Sequence, residues 1–371
     1  MNRMSTNPDP QVVTSAETLN PWLHRWATAP WLAVDTEFVR VDTYYPKLCL
    51  IQIGDGDNNV CIDTVALTDL SPLFELLARK EILKIFHSGS QDLEIFVELT
   101  GACPTPLFDT QIAATLLGLG DQIGYAPLVE KLLGIVLDKS LTRTDWSRRP
   151  LSAAELDYAA LDVKHLATIY LMLKEQLLAC GRLSWLEEDC ARGANPDFYR
   201  VRPADAWRKL KGLWRLPAQA QVLAAALSEW RETTAQQRNR PRKWIIEDDA
   251  IYRMAERAPR DLAQLEALNV LPPKTLARHG EALLEVIDTA LTLPVRVLAC
   301  DETSEPAIKA RIKKLQEKLR EIAESAKLPA SVIAPRADIE ALALQGAAAQ
   351  TPLLQGWRRQ LAGDALLTLC V

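Results

Sequence analysis

The chain contains 371 residues, and 48% of them are hydrophobic, so it is long enough to bury more than one core. Its net charge is −5. Its seven cysteines include no C-x-x-C pair, which argues against a disulfide scaffold and a structural zinc site. No apolar run reaches the roughly 18 residues that a membrane span requires. The first residues lack an apolar run after a basic start, so a reduced, cytoplasmic protein without a secretory leader is expected.

Residues 12–120 alternate between two kinds of sequence pattern. Short β-rich runs are separated by helical ones, and this alternation predicts an α/β sheet with helices packed on it. The predicted strands are WLAVDTEF, LCLIQIG, NVCIDT and LKIFH, and the helical patterns include LSPLFELLARK and QDLEIFVELTG.

From about residue 126 onward the strand patterns end. Apolar residues with helical spacing run through ELDYAALDVKHLATIYLMLKEQLLA, which predicts one long helix or two abutting helices. Ser152 and Glu155 form the S-x-x-E pattern of a capping box, so the helix is expected to begin directly after Ser152.

Two interruptions of the pattern predict domain boundaries. Gly and Pro residues interrupt the chain near residues 194–203, and ACDETSEP at residues 299–306 separates two blocks that contain helical patterns only. Three domains are therefore expected, over residues 1–205, 206–292 and 293–371.

Charge is distributed unevenly between these regions. Residues 1–206 contain 28 acidic and 18 basic side chains, whereas residues 207–290 contain 11 acidic and 14 basic ones. The bias is strongest from Arg208 to Lys243, where nine basic residues accompany two acidic ones. Such a segment suits contact with phosphates, and a solvated helix end and loop explains a charge run equally well.

Two carboxylates interrupt the first predicted strand. Asp35 and Glu37 are two residues apart, so on a strand both side chains point to the same face of the sheet. Neighbouring anions in a mostly buried place need a compensating cation, and oxygen ligands favour Mg²⁺ or Mn²⁺ over zinc. For an isolated D-x-E pattern, a solvated strand end is the commoner explanation.

A third acid opens the helix that follows LKIFH. Asp92 lies in the expected first turn of that helix, where the helix dipole favours a negative charge, and Ser88 or Ser90 could cap it. A purely structural role for Asp92 is therefore a strong alternative to a role in chemistry.

A tyrosine and a fourth acid lie on the long predicted helix. Tyr158 and Asp162 are four residues apart, so they share one helical face. A phenol one turn from a carboxylate suits a site in which the acid holds a metal and the hydroxyl orients a water molecule. A half-buried Tyr beside a surface Asp is the ordinary alternative.

Taken in order, these motifs match a known pattern. The D-x-E on a strand, the later Asp in HSGSQDL and the Y-x-x-x-D on a helix resemble the DEDD 3′-to-5′ exonucleases, in the subgroup with tyrosine in the last motif. The surrounding segments VDTEFVRVDTYYPKLCLIQIG, TDWSRRPLSAAELDYAALDVKHL and DAWRKLKG narrow the resemblance to the ribonuclease D family. It implies an α/β ribonuclease H-like exonuclease domain, with a mixed sheet flanked by helices, followed by two all-α HRDC-type domains.

The resemblance also implies a role for each matching residue. Asp35, Glu37 and Asp162 would hold one divalent ion, and Asp35 would reach a second ion that Asp92 supports through water. Tyr158 would hydrogen-bond to the attacking water. The two ions, Mg²⁺ or Mn²⁺, would flank the phosphate that is cleaved.

Basic residues outside this set are expected to contact RNA. The block that starts at DAWRKLKG resembles the HRDC domain, which assists nucleic-acid binding in RecQ-type helicases and in ribonuclease D. A basic helical arm would collect RNA that an acidic catalytic domain repels. The candidate contacts are Arg143, Arg148, Arg149, Arg208, Lys209, Lys211, Arg240, Arg242 and Lys243.

The expected activity is hydrolysis of RNA from a free 3′ end to 5′-mononucleotides, including the trimming of tRNA precursors. A monomer without a membrane partner or a small-molecule cofactor is expected. A DNA exonuclease of the proofreading type would use the same acids, and 2′-hydroxyl recognition cannot be read from the sequence. A non-catalytic RNA-binding scaffold would keep the fold but lose at least one acid, and none is lost.

Overall fold

The computed structural model describes residues 11–138, 141 and 144–370, so the predicted RNA contact Arg143 lies outside the described residues. The chain forms two compact units. The sheet unit consists of the described residues within Met1–Val39, Lys47–Tyr199 and Thr303–Val371. The helical unit consists of Arg40–Pro46 and Arg200–Glu302.

Six strands form one mixed sheet in the sheet unit. They are β1 (Gln11–Val13), β2 (Trp31–Val39), β3 (Lys47–Gly54), β4 (Asn59–Asp63), β5 (Leu83–Phe86) and β6 (Leu107–Asp109). Their spatial order is β1-β4-β3-β2-β5-β6. Strand β3 is antiparallel to both β2 and β4, and the other three pairs are parallel. The four predicted strands are confirmed as β2 to β5, whereas β1 and β6 have three residues each and are too short to show a period.

Helices account for the rest of the regular structure. The α-helices are α1 (Ala16–Trp26), α2 (Ser71–Leu77), α3 (Ser90–Thr100), α4 (Thr110–Leu116), α5 (Tyr125–Leu133), α6 (Ala153–Ala179), α7 (Leu183–Gly193), α8 (Ala218–Arg238), α9 (Arg242–Ile245), α10 (Asp248–Arg257), α11 (Leu262–Ala267), α12 (Pro273–Leu291), α13 (Pro306–Ala326), α14 (Ala330–Ile333), α15 (Arg336–Gln345), α16 (Gly356–Arg358) and α17 (Asp364–Leu367). Short 3₁₀ helices span Pro196–Phe198, Pro203–Lys209, Leu213–Arg215, Glu302–Ser304, Gly346–Ala348 and Pro352–Leu354, and a π-helix spans Arg359–Gly363.

The two faces of the sheet have separate cores because strand side chains alternate. On β2, Leu32 and Val34 join a core that also contains buried residues of α1, α2 and α3. Ala33 points to the other face and joins a core that contains buried residues of α4, α6, α7 and the helices after Thr303. Odd-numbered residues of β2 therefore face α6.

Helix α6 is a single helix of 27 residues, which settles the choice between one helix and two. The predicted capping box is confirmed, because the Ser152 hydroxyl accepts from the Glu155 amide and the Glu155 carboxylate accepts from the Ser152 amide. The helix packs closely on β3: a Cβ added at Gly54 would lie 3.2 Å from the Val163 carbonyl oxygen. Glycine at this position therefore lets the helix backbone approach the sheet.

The helical unit has a core of its own. Leu223 and Leu227 of α8 pack with Ile251 and Met254 of α10 and with Leu283 of α12, and all five side chains are fully buried. In the part of the chain that is described, no helix combines the length and the apolar character required to cross a bilayer.

Candidate active site

Three of the predicted acids form a cluster between the sheet and α6. Asp35 and Glu37 lie on the face of β2 that α6 covers, and Asp162 lies on α6 itself. One carboxylate oxygen from each residue lies within 4.8 Å of the other two. Across the strand pair, Asp35 is opposite Gln52 and Glu37 is opposite Leu50, and the register shifts immediately after Glu37. The i, i+2 spacing on β2 thus presents both acids to the helix.

Asp92 lies beside this cluster. It is in the first turn of α3 and is 8% exposed, and its carboxylate accepts a hydrogen bond of 2.5 Å from the Thr36 hydroxyl. Thr36 points to the opposite face of β2 from its two acidic neighbours. The charge of Asp92 nevertheless raises the pKa of Glu37, and the charge of Asp35 raises the pKa of Asp92. Strand β2 therefore brings all four acids into one electrostatic cluster.

The N-terminus of α3 is held by a residue that the sequence did not reveal. The predicted cap by Ser88 or Ser90 is wrong, because Gly89 is the N-cap and it makes no side-chain cap. Instead, the carboxylate of Asp109 accepts from the amides of Ser88 and Gly89, at 3.1 and 2.9 Å. It also accepts from the Gln111 amide at the start of α4. Asp109 fixes the turn that carries Asp92, and its own segment, LFDT, contains no motif for such a long-range cap.

Burial and mutual repulsion make the acids hard to ionise. Burial raises the pKa of Asp35 and of Asp92 well above the ordinary range, and the neighbouring carboxylates Asp162 and Asp35 respectively raise it further. Burial and the three other acids raise the pKa of Glu37 to about 9. Burial raises the pKa of Asp162 to about 7. A cation in the cluster would remove this penalty.

The donor set fits a hard divalent cation. Carboxylate oxygens are the ligands that Mg²⁺ and Mn²⁺ prefer, and no nitrogen or sulfur ligand belongs to the described cluster. Gln52, opposite Asp35, is fully buried, and neither atom of its amide has a hydrogen-bond partner among the described residues. Buried polar atoms of this kind mark a place where a hydrated ion adds partners. The acidic cluster therefore has the ligands and the geometry that a divalent metal ion requires.

Tyr158 lies one helical turn before Asp162 on α6. Its ring is partly buried and stacks on Trp146, with ring centroids 6.3 Å apart and an angle of 29° between the planes. Trp146 is itself 3% exposed, so it provides a fixed surface for the tyrosine. The packing holds the phenol on the same side of α6 as the acid that follows it.

A second tyrosine near the cluster was not predicted. Tyr125, at the start of α5, donates from its hydroxyl to the carbonyl of Leu161 at 3.0 Å. Burial raises its pKa, and the charges of Asp162 and Asp35 raise it further. This bond ties α5 to the turn of α6 that carries Asp162. The QIGYAP segment offers no spacing that would predict it.

The two described arginines before α6 have protein partners. The Arg149 guanidinium donates to both carboxylate oxygens of Asp63, at 2.6 and 2.7 Å, and to the carbonyl of Cys49 at 2.7 Å. Arg148 donates to Glu155, the residue that completes the capping box, at 2.7 Å. Arg149 therefore joins its loop to β3 and β4, and Arg148 retains more than half of its side-chain exposure.

The other predicted RNA contacts all lie in the helical unit. Arg208 pairs with Asp205, Arg240 with Asp42, Arg242 with Glu232, and Lys243 lies 3.9 Å from Glu247. Arg242 is half-buried, and the other five are exposed: Arg208, Lys209, Lys211, Arg240 and Lys243. Three of the six, Lys209, Arg242 and Lys243, line a cavity.

Comparison with known proteins relates this geometry to an activity. Residues 10–178 match the family described as 3′-5′ exonuclease, and residues 220–287 match the HRDC domain. Ribonuclease D of Gluconacetobacter diazotrophicus is 39% identical over 370 residues, which cover 98% of this chain and 93% of that protein. Ribonuclease D of Pseudomonas paraeruginosa is 37% identical over 368 residues, which cover 98% of both chains.

A solved structure agrees in fold over almost the whole chain. The crystal structure of Escherichia coli RNase D, described as an exoribonuclease involved in structured RNA processing, superposes with a TM-score of 0.90 at 32% identity. The match covers 97% of this chain and 98% of that one. The predicted fold class, a mixed sheet with helices followed by an HRDC region, is confirmed. The chain belongs to the ribonuclease D family of 3′-to-5′ exoribonucleases.

Proposed function

We propose that the chain hydrolyses RNA from a free 3′ end with two divalent ions, Mg²⁺ or Mn²⁺, and releases 5′-mononucleotides. The observation that carries the proposal is the convergence of Asp35, Glu37 and Asp162, with Asp92 beside them, in a place where burial opposes their ionisation. Carboxylates arranged in this way gain most when divalent ions bind between them.

Each residue of the set has a proposed task. Asp35, Glu37 and Asp162 hold one ion, and Asp35 and Asp92 support the second. Bound divalent ions supply Lewis-acid activation of the attacking water and stabilisation of the leaving 3′ oxygen. The Thr36 hydroxyl, which donates to Asp92, keeps one oxygen of that carboxylate in place.

Tyr158 is proposed to orient the attacking water through its hydroxyl. Its position one turn before Asp162 and its stacking on Trp146 support this role, because both limit where the phenol can point. Tyr125 is proposed to act more indirectly, by fixing the Leu161 carbonyl and hence the adjacent turn of α6.

Substrate choice is a finer proposal. Processing of structured RNA by the E. coli relative supports tRNA precursors as substrates, and an RNA substrate supports a cytoplasmic location. We propose that the chain acts as a monomer, and that it has three sequence domains, residues 1–205, 206–292 and 293–371, of which most of the last packs with the first in the sheet unit. The complete acid set argues against a non-catalytic scaffold. Because a DNA exonuclease would use the same acids, degradation of matched RNA and DNA strands must distinguish the two substrates.

The test is degradation of matched RNA and DNA strands, each with a free or a blocked 3′ end, in Mg²⁺, in Mn²⁺ and in EDTA. We expect the parental chain to shorten only the RNA with a free 3′ end, and only with a divalent ion. Asp35→Ala is expected to lower the rate by about 1,000-fold or more, because the shared ligand of both ions is lost.

The matched control is Asp57→Asn, whose side chain is 82% exposed and lies outside the cluster. It should retain the parental rate. An Asp35→Ala protein that degrades RNA at the parental rate would refute the metal site, and equal degradation of RNA and DNA would refute the RNA preference.

A further inference from the structure

The helical unit contains a cavity of about 510 Å³ that is strongly cationic. Five of its lining residues are basic and one, Asp248, is acidic. Two aromatic side chains, Tyr44 and Trp244, also line the cavity. The basic residues are Arg40, Lys209, Arg231, Arg242 and Lys243.

One wall of this cavity is the loop of residues 40–46, which is fastened to α8. The Tyr44 hydroxyl donates to the buried carboxylate of Glu232. The amides of Tyr44 and Tyr45 donate to the side-chain oxygen of Asn239, at 2.9 and 3.0 Å. Asn239 ends α8 in the left-handed conformation, with φ of 48°. The loop is therefore held by specific bonds, and the cavity has a defined shape.

Arg231 is a buried cation with one unsatisfied hydrogen-bond donor. It is 5% exposed, and one terminal nitrogen donates to Asp248 at 2.7 Å and to the carbonyl of Ile246 at 3.1 Å. Its Nε is buried and has no hydrogen-bond partner in the part of the chain that is described. An unsatisfied donor of a buried guanidinium is costly, and a phosphate in the cavity that Arg231 lines would stabilise the charge of this guanidinium.

Trp244 offers a flat apolar surface at the mouth of the same cavity. It is 60% exposed, although the next residue, Ile245, is buried and anchors α9. The Arg240 guanidinium lies over its ring at 5.9 Å. Arg242 is the first residue of α9 and pairs with Glu232 at 2.7 Å, so the helix is fixed to α8. An exposed indole beside several cations is the combination on which bases of single strands stack.

We propose that this cavity binds one nucleotide of single-stranded RNA, with its phosphate against Arg231 and Lys243 and its base on Trp244. The inference rests on the proposed function, because it assumes that RNA is the ligand. An acidic peptide would use the cations equally well, but it would bring no base to stack on the exposed indole. The nucleotide uses both features.

The test measures binding of a fluorescent 12-nucleotide single-stranded RNA to the full chain in EDTA, by anisotropy. Trp244→Ala is expected to weaken binding about tenfold or more, since stacking of one base contributes an effect of this size. Trp244→Phe should recover most of the affinity. With an otherwise identical abasic RNA, the parental chain and Trp244→Ala should bind equally.

The matched control is Trp214→Ala. Trp214 is also in the helical unit, is 44% exposed and has an arginine, Arg215, over its ring at 5.1 Å, but it does not line the cavity. Its replacement should change RNA affinity less than twofold. Equal affinities of Trp244→Ala and Trp214→Ala would overturn the proposal. Polyglutamate binding that also depends on Trp244 and equals RNA in affinity would overturn it in favour of a peptide.

The two proposals can fail separately. A parental chain that hydrolyses RNA while Trp244→Ala binds it normally would refute the nucleotide cavity and leave the exonuclease intact. A parental chain that binds RNA through Trp244 but does not hydrolyse it would refute the proposed function alone.

Discussion

The acidic cluster of the sheet unit and the basic cavity of the helical unit each contain several like charges, but the neighbours of those charges differ. In the acidic cluster every neighbour of Glu37 that acts on its pKa is another acid, so the carboxylates repel one another. In the basic cavity each of two arginines has an internal acid: Arg231 pairs with Asp248 and Arg242 with Glu232. Burial lowers the pKa of Arg242, but Tyr44 and Glu232 raise it overall.

This difference indicates two kinds of binding. Uncompensated buried carboxylates need small, highly charged ions, and the folded state is less stable when those ions are absent. Tyr44 and Glu232 favour the ionised form of Arg242 without a ligand, so the cavity is ready for a large polyanion at any moderate pH. The first region is suited to chemistry and the second to holding the substrate.

After Asp35→Ala, the largest expected effect is one that separates catalysis from RNA binding. Tyr158→Phe removes the hydroxyl proposed to orient water, and it should lower kcat by about 10- to 100-fold while RNA affinity changes less than twofold. Single-turnover hydrolysis with Mg²⁺ and anisotropy with EDTA measure the two quantities. Tyr170→Phe is the control, because it removes a hydroxyl on the same helix that accepts from Lys174. Equal losses of rate and affinity would remove Tyr158 from the proposed role.

A second prediction concerns stability without metal. Because the folded state raises the pKa of Asp162 to about 7 and that of Glu37 to about 9, it binds more protons than the unfolded chain between about pH 4 and these values. The free energy of unfolding in EDTA should therefore fall as pH rises through that window, by about 1.4 kcal/mol per pH unit for each carboxyl that titrates.

Divalent ions should remove much of this pH dependence, since they bind the ionised carboxylates. Urea unfolding at pH 5, 7 and 9, with EDTA or with Mg²⁺, measures the effect. Glu37→Gln should flatten the EDTA profile, and the exposed Asp57→Asn should leave it unchanged. The same slope with and without Mg²⁺ would mean that the cluster does not bind the ion.

The smallest expected effect sharpens the description of the cavity. Lys243 has a side chain that is 72% exposed, and its replacement by Ala should lower the salt dependence of RNA binding by about 0.7 in the log–log slope, as expected for one phosphate contact on a single strand. Lys274→Ala, an exposed lysine of α12 outside the cavity, is the control. Identical slopes for both variants would exclude a phosphate contact at Lys243.

The sequence predicted the parts of the site that depend on local periodicity. Asp35 and Glu37 share a face because strands repeat every two residues, and Tyr158 and Asp162 share one because helices repeat every 3.6. The capping box also depended on residues that are three apart. The chemistry of the acids, together with their resemblance in order to the DEDD exonucleases, then predicted divalent ions.

The remaining features depend on contacts between distant segments. Asp109 caps a turn some twenty residues before it, Arg149 reaches Asp63 and Tyr44 reaches Glu232. No local spacing predicts such pairs, because they form only when the chain has folded. For the same reason, the loop of residues 40–46 could not be assigned to the helical unit from its position between two strands.

The last segment of the chain has a consequence for biosynthesis. The described residues from Thr303 onward belong to the sheet unit, where Leu315 and Leu342 are fully buried in the core on the α6 side of the sheet. Trp357 stacks on Trp185 with ring centroids 4.6 Å apart, and Arg358 binds the buried Asp189 through two nitrogens.

The first strands therefore leave the ribosome long before their core can be completed. The whole helical unit from Arg200 is synthesised in the interval, and at about 5–20 residues per second this delay lasts several seconds or more. During it, the apolar side of α7 that Trp357 later covers is open to solvent and to chaperones. A chain that stops before residue 303 would leave that surface uncovered, so completion of this core depends on synthesis of the segment that carries Trp357.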